Sequence, residues 1–125
     1  MDWKLSGDRP VYQQIMATIR GAILKGELTP GRKIPSVRDL AAEAQVNPNT
    51  MQRALTELER ENLLISGGTS GRSVTEDGAV LDAMRKTELE ELARECAERF
   101  SLFGVSPAGA AQLLLGLEEH KEEEN

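Results

Sequence analysis

The sequence predicts a mainly α fold, with three short helices and a two-stranded hairpin followed by two longer helices. Three observations carry this. Apolar residues recur at three- and four-residue intervals over most of the 125 residues. Two helix-start signals, Ser36 and Asn47-Pro48, stand immediately before such stretches. A small polar segment, Ser66-Gly67-Gly68-Thr69-Ser70-Gly71-Arg72-Ser73, separates two short β-capable runs, as a hairpin tip should.

The first helix is expected from Pro10, with Asp8 upstream as its cap, to about Lys25. Val11, Ile15, Ile19 and Ile23 give it one apolar face, and Gly26 ends it. Leu28-Thr29-Pro30-Gly31 reads as a type II turn. Ser36 then caps a short helix, with Asp39 placed to answer it as in a capping box. Val37, Leu40, Ala41 and Ala44 are its inner side. Gln45-Val46 interrupts the pattern, and Asn47 with Pro48 starts a third helix that runs to about Arg60. Met51, Ala54, Leu55 and Leu58 mark the buried side of this helix, and Asn62 is suited to a left-handed terminator. Leu63-Leu64-Ile65 and Val74-Thr75 supply the strands. The order of helix, helix, tight turn, helix and hairpin is a winged helix-turn-helix domain with a small two-stranded wing, assigned to residues 1–75.

From Glu76 the pattern changes. Leu81, Met84, Leu89, Leu92, Cys96, Phe100 and Phe103 follow helical spacing along one long helix to about Leu102. Gly104-Val105-Ser106-Pro107 breaks it, and Ala110, Ala111, Leu113, Leu114, Leu115 and Leu117 belong to a last helix. A small domain that already has its own core cannot cover this much apolar surface. Residues 76–125 are therefore expected to form a C-terminal helical dimerisation region. Its interface would hold Leu89, Leu92, Cys96, Phe100, Phe103, Leu113, Leu114 and Leu117, and the chain would be a homodimer.

Composition narrows the function. No apolar run approaches the roughly 20 residues that span a bilayer, and no h-region follows the acidic start Met1-Asp2. Neither a membrane segment nor a signal peptide is expected, which favours a cytoplasmic protein. Cys96 is the single cysteine and His120 the single histidine, so an internal disulfide, cysteine zinc sites and histidine-based triads are excluded. Adjacent acids such as Glu90-Glu91 do not face each other on a helix. No enzyme activity, metal or cofactor is expected. The net charge of −6 is uneven. Residues 1–75 carry ten Lys/Arg against eight Asp/Glu, and residues 76–125 carry five against thirteen. An acidic half repels phosphate, so the first half is the face for a polyanion.

Several ordered motifs in that half resemble the DNA-binding domain of the GntR family of bacterial regulators. They are Gly26-Glu27-Leu28-Thr29-Pro30-Gly31, Ile34-Pro35-Ser36-Val37-Arg38-Asp39-Leu40-Ala41, Val46-Asn47-Pro48-Asn49-Thr50 and Ala54-Leu55-Thr56-Glu57-Leu58-Glu59. Pro10-Val11-Tyr12-Gln13-Gln14-Ile15 is similar to the family's opening helix. The Val-Asn-Pro-Asn-Thr form with a short two-helix tail is similar to the YtrA-like branch. The wing departs from the family, with Thr69-Ser70-Gly71-Arg72-Ser73-Val74 where Gly-x-Gly-Thr-Phe-Val is usual, so that Arg72 is its sole cation.

The expected partner is double-stranded operator DNA. A helix from Pro48 would enter the major groove, where Asn49, Thr50, Gln52 and Arg53 have the chemistry to read base edges. Asn47 at its cap is grouped with them. Ser36, at a helix start, suits a phosphate oxygen. The resemblance implies a DNA contact for Arg38, and Arg72 is the candidate in the wing. It also implies a dimeric repressor of its own operon, which in this branch often encodes an ABC transporter. Two other classes compete. A winged helix used for protein contact would present an acidic or apolar outer face, which this third helix lacks. A small-molecule sensor would need a ligand domain, and the 50 residues left leave room only for a small effector cavity between subunits.

Overall fold

The computed structural model describes residues 1–124, with side chains through residue 119. It contains α1 (Val11–Leu24), α2 (Val37–Ala44), α3 (Pro48–Arg60), β1 (Leu64–Ser66), β2 (Arg72–Val74), α4 (Gly78–Ser101) and α5 (Pro107–Glu124). The chain divides into two compact units, Met1–Ala83 and a second that begins at Met84. The winged helix-turn-helix of the first and the helical pair of the second match the expected fold class.

In the first unit α1 and α2 both pack on α3. Ile15 and Ile19 of α1, Leu40 of α2, and Met51, Leu55 and Leu58 of α3 lose essentially all contact with solvent, as do Leu63, Leu64 and Val74 of the hairpin. Each such side chain contributes about 1.5–3 kcal/mol on burial. The joint between α2 and α3 is short because Gln45 adopts a left-handed conformation (φ 57°). That bend reverses the chain in time for Asn47 to cap α3, its Oδ1 accepting the Asn49 N–H at 2.8 Å, with Pro48 at the first helical position. Asn62, also left-handed (φ 63°), turns the chain out of α3 toward β1. The turn at Thr29–Arg32 closes with the Arg32 N–H on the Thr29 carbonyl at 3.0 Å, and Gly31 takes the positive φ of 79° that a type II turn requires.

The wing holds one feature that the sequence pattern had not indicated. β1 and β2 pair antiparallel with Leu64 opposite Val74 and Ser66 opposite Arg72. On the other side of β2, Lys33 forms a bridge with Ser73. The Ile34 N–H donates to the Arg72 carbonyl at 3.0 Å, and the Val74 N–H donates to the Arg32 carbonyl at 2.9 Å. β2 is therefore flanked on both sides. Three residues between Gly31 and Pro35 are too few to show strand alternation, which is why they read as loop. A 3₁₀ turn at Gly68–Ser70 forms the tip of the wing.

Two local expectations are corrected. Asp8 does not cap α1, whose N-cap position is Pro10 with no side-chain cap. Asp8 instead accepts a hydrogen bond from the Ser6 hydroxyl, which together with its own backbone N–H holds its carboxyl below the usual carboxylate range. The segment before α1 is anchored by Gln14. This side chain is buried, donates to the Ser6 and Arg9 carbonyls at 2.7 and 2.8 Å, and accepts the Ser6 N–H at 2.7 Å. Phe103 lies not in the long helix but in the turn after it, because α4 ends at Ser101.

The second unit has a different texture. Gly104 (φ 74°) ends the turn, and Ser106 caps α5 by accepting the Gly109 N–H at 3.1 Å ahead of Pro107. Met84 and Ala110 are buried. Cys96 and Phe100 are half-buried, while Leu89, Leu92, Phe103, Leu113, Leu114, Leu115 and Leu117 each expose half or more of their surface. The side chain of His120 lies outside the described residues. Among the described residues no helix is long and apolar enough to cross a membrane.

Candidate nucleic-acid interface

α3 has two faces of opposite character. Met51, Ala54, Leu55 and Leu58 face the core without exception. Asn49, Gln52 and Arg53 are exposed, and Thr50 is half-buried between them. The Asn47 cap consumes its own carbonyl oxygen and leaves the amide nitrogen as the group that can donate outward. Gln52, exposed, donates through Nε2 to Thr56 Oγ1 at 3.3 Å, one turn along. The start of α3 is thus a row of neutral and cationic donors and acceptors on a buried, rigid support.

One cleft opens at this row, and a second lies between α2 and the wing. Pro10, Val11 and Tyr12 at the start of α1 face Asn49, Thr50 and Arg53 across an open cleft of about 570 Å³. Within it the Arg53 guanidinium lies 3.8 Å above the centre of the Tyr12 ring, a cation–π arrangement. The other cleft, of about 530 Å³, lies between the start of α2 and the wing. Ser36, Arg38, Thr69, Ser70 and Arg72 line it. Ser36 Oγ accepts the Asp39 N–H at 3.1 Å, capping α2 and leaving its hydroxyl proton free to donate. Among the described residues Asp39 makes no reciprocal bond to the Ser36 N–H, so only half of the capping box forms. Arg38, on the first turn of α2, is exposed.

Arg72 stands apart from the other predicted site residues. Its Nε donates to a Glu59 carboxylate oxygen on α3, and only 18% of its side chain is exposed. The wing's cation is therefore neutralised within the fold, though its position in the second cleft is kept. The structure brings Asn49, Thr50 and Arg53 together at one cleft and Ser36, Arg38 and Arg72 at the other. Asn47 and Gln52 lie on α3 itself. Tyr12, Glu59, Thr69 and Ser70 were missed. Tyr12 carried one usable signal, as a half-exposed aromatic in a chain with only four aromatic residues.

Comparison with known proteins identifies the fold and the family. Residues 11–74 match the family model for bacterial regulatory proteins of the gntR family. The HTH-type transcriptional repressor YtrA of Bacillus subtilis is 41% identical over 68 residues, which cover 54% of this chain and 52% of that protein. A GntR family transcriptional regulator from Listeria monocytogenes superposes with a TM-score of 0.78 at 27% identity, over 92% of this chain and 98% of that one. The DNA-binding domain of AraR, solved in complex with operator ORX1, superposes with a TM-score of 0.53 at 29% identity, over 60% of this chain and 92% of that one. These proteins are regulators rather than enzymes. The chain belongs to the GntR family and is a DNA-binding transcriptional regulator with a winged helix-turn-helix domain.

Proposed function

We propose that the protein is a cytoplasmic, dimeric repressor of the YtrA-like branch that binds a palindromic operator near its own operon. The observation that carries this reading is the two-faced α3, whose polar side is exposed and opens at its start onto a cleft shared with α1. In the proposed complex Asn49, Thr50 and Gln52 meet base edges in the major groove, with Asn47 at their head. Ser36 and Arg38 meet the flanking backbone, and Arg72 approaches it from the wing. Two such domains, joined through residues 76–125, read half-sites about one helical turn apart. Leu89, Leu92, Cys96, Phe100, Phe103, Leu113, Leu114 and Leu117 form the interface, since leaving them exposed costs more than covering them with a second copy. Bound there, the dimer excludes polymerase from the promoter. The likeness to YtrA supports a repressor, and an ABC transporter operon is the target class that the branch implies.

The test is a binding series on a duplex enriched from a randomised pool by the wild-type protein. Arg38→Ala is expected to weaken binding by about 1–3 kcal/mol, whereas Gln52→Ala should relax base preference at one position per half-site. Unaltered affinity and preference in both variants would remove α2 and α3 from the interface.

A further inference from the structure

The Tyr12–Arg53 stack defines a role that neither side chain has alone. Arg53 is one turn beyond Asn49 on α3, and the two line the first cleft together with Thr50. Its guanidinium lies over the Tyr12 ring, 3.8 Å from the centroid, which ties it to the start of α1. The phenol oxygen of Tyr12 accepts a hydrogen bond from Gln13 Nε2 at 3.2 Å at the edge of the ring, while Arg53 lies over its face. Arg53 is exposed and, among the described residues, pairs with no carboxylate, so its charge is free for an anion.

We propose that Tyr12 is a positioning residue that turns Arg53 from a base reader into a clamp on the DNA backbone. The inference rests on the DNA-binding reading above and assigns the first cleft its occupant, a phosphate of the strand that flanks the groove entered by α3. The geometry favours phosphate over base because the stack ties the cation to Tyr12 on α1, one turn beyond Asn49 along α3. A guanidinium over an aromatic face keeps its N–H edges free for phosphate oxygens, and the ring limits the rotamers it must give up on binding. No other described cation lines this cleft.

The experiment titrates the full-length protein against the pool-enriched duplex and against a scrambled duplex of the same length and composition, each over a range of salt. Arg53→Ala should lower affinity for both duplexes by the same factor and reduce the slope of log K against log salt by about one per subunit. Tyr12→Leu, which keeps bulk but removes the π face, should lower affinity roughly threefold to tenfold on both. The double variant should be no worse than Arg53→Ala, and Tyr12→Phe should bind as the wild type does. A loss confined to the enriched duplex would make Arg53 a base reader and overturn the inference. So would additive losses in the double variant, or a Tyr12→Phe defect equal to that of Tyr12→Leu. If the wild type binds both duplexes alike, the sequence-specific reading fails while the clamp is still tested. If it binds neither, both fall together.

Discussion

The two units of this protein treat the same kind of side chain in opposite ways. In the first, Leu55 and Leu58 are sealed beneath α1 and the hairpin. In the second, Leu92 is 60% exposed and Leu113 57% exposed, though both stand in helices as regular as α3. Helical periodicity identifies an apolar stripe in each but does not say what covers it. A stripe covered by its own chain makes a domain, and a stripe left open is the surface that the proposed dimer would cover.

The sharpest way to break the comparison is to remove one side of it. A chain ending at Ala83 keeps the whole core of the first unit and should fold, but its operator affinity should fall about 10²- to 10⁴-fold as two linked contacts become one. Sedimentation of both chains with a titration on the same duplex decides this. A full-length protein that sediments as a monomer at micromolar concentration would refute the dimer. The next largest effect contrasts two leucines. Leu55→Ala should destabilise the first unit by about 2–5 kcal/mol, read by urea denaturation. Leu92→Ala should cost well under 1 kcal/mol when the protein is dilute and more when it is concentrated, because only a second copy gives Leu92 anything to lose. An equally small cost at all concentrations would mean that no second copy covers the stripe. The smallest effect sharpens the first unit alone. Asn47→Ala removes the cap of α3 and should cost about 1 kcal/mol of thermal stability. Asn47→Gly should restore most of it, and failure of that rescue would give Asn47 a structural role beyond its cap.

What could be read from sequence divides by distance along the chain. The limits of α3, its cap at Asn47-Pro48, its buried quartet and the left-handed Asn62 all follow from contacts spanning four residues or fewer, where backbone geometry dictates which side chains meet. The first cap failed for a local reason as well. Pro10 occupies the N-cap position, and the nearby Ser6 hydroxyl captures the Asp8 carboxylate. The missed features join residues far apart. Tyr12 reaches Arg53 from another helix, Glu59 reaches Arg72 across a hairpin, and Lys33 reaches Ser73 past the whole helix-turn-helix. No periodicity announces such pairs. The tight turn at Gln45 was legible as a break, yet not as a left-handed residue, since Gln has no special tolerance for positive φ.

The bridge between Lys33 and Ser73 has a consequence for how the first unit opens. Both helices of the DNA-reading motif lie on the stretch of chain that this bridge closes into a ring. The amides of Gly31, Ile34 and Val74 are the rivets of that closure, each donating to a carbonyl on the opposite segment. None can be released by fraying from a chain end. In hydrogen exchange they should lose protection as one cooperative group, at a free energy near that of global unfolding rather than at that of a loose wing.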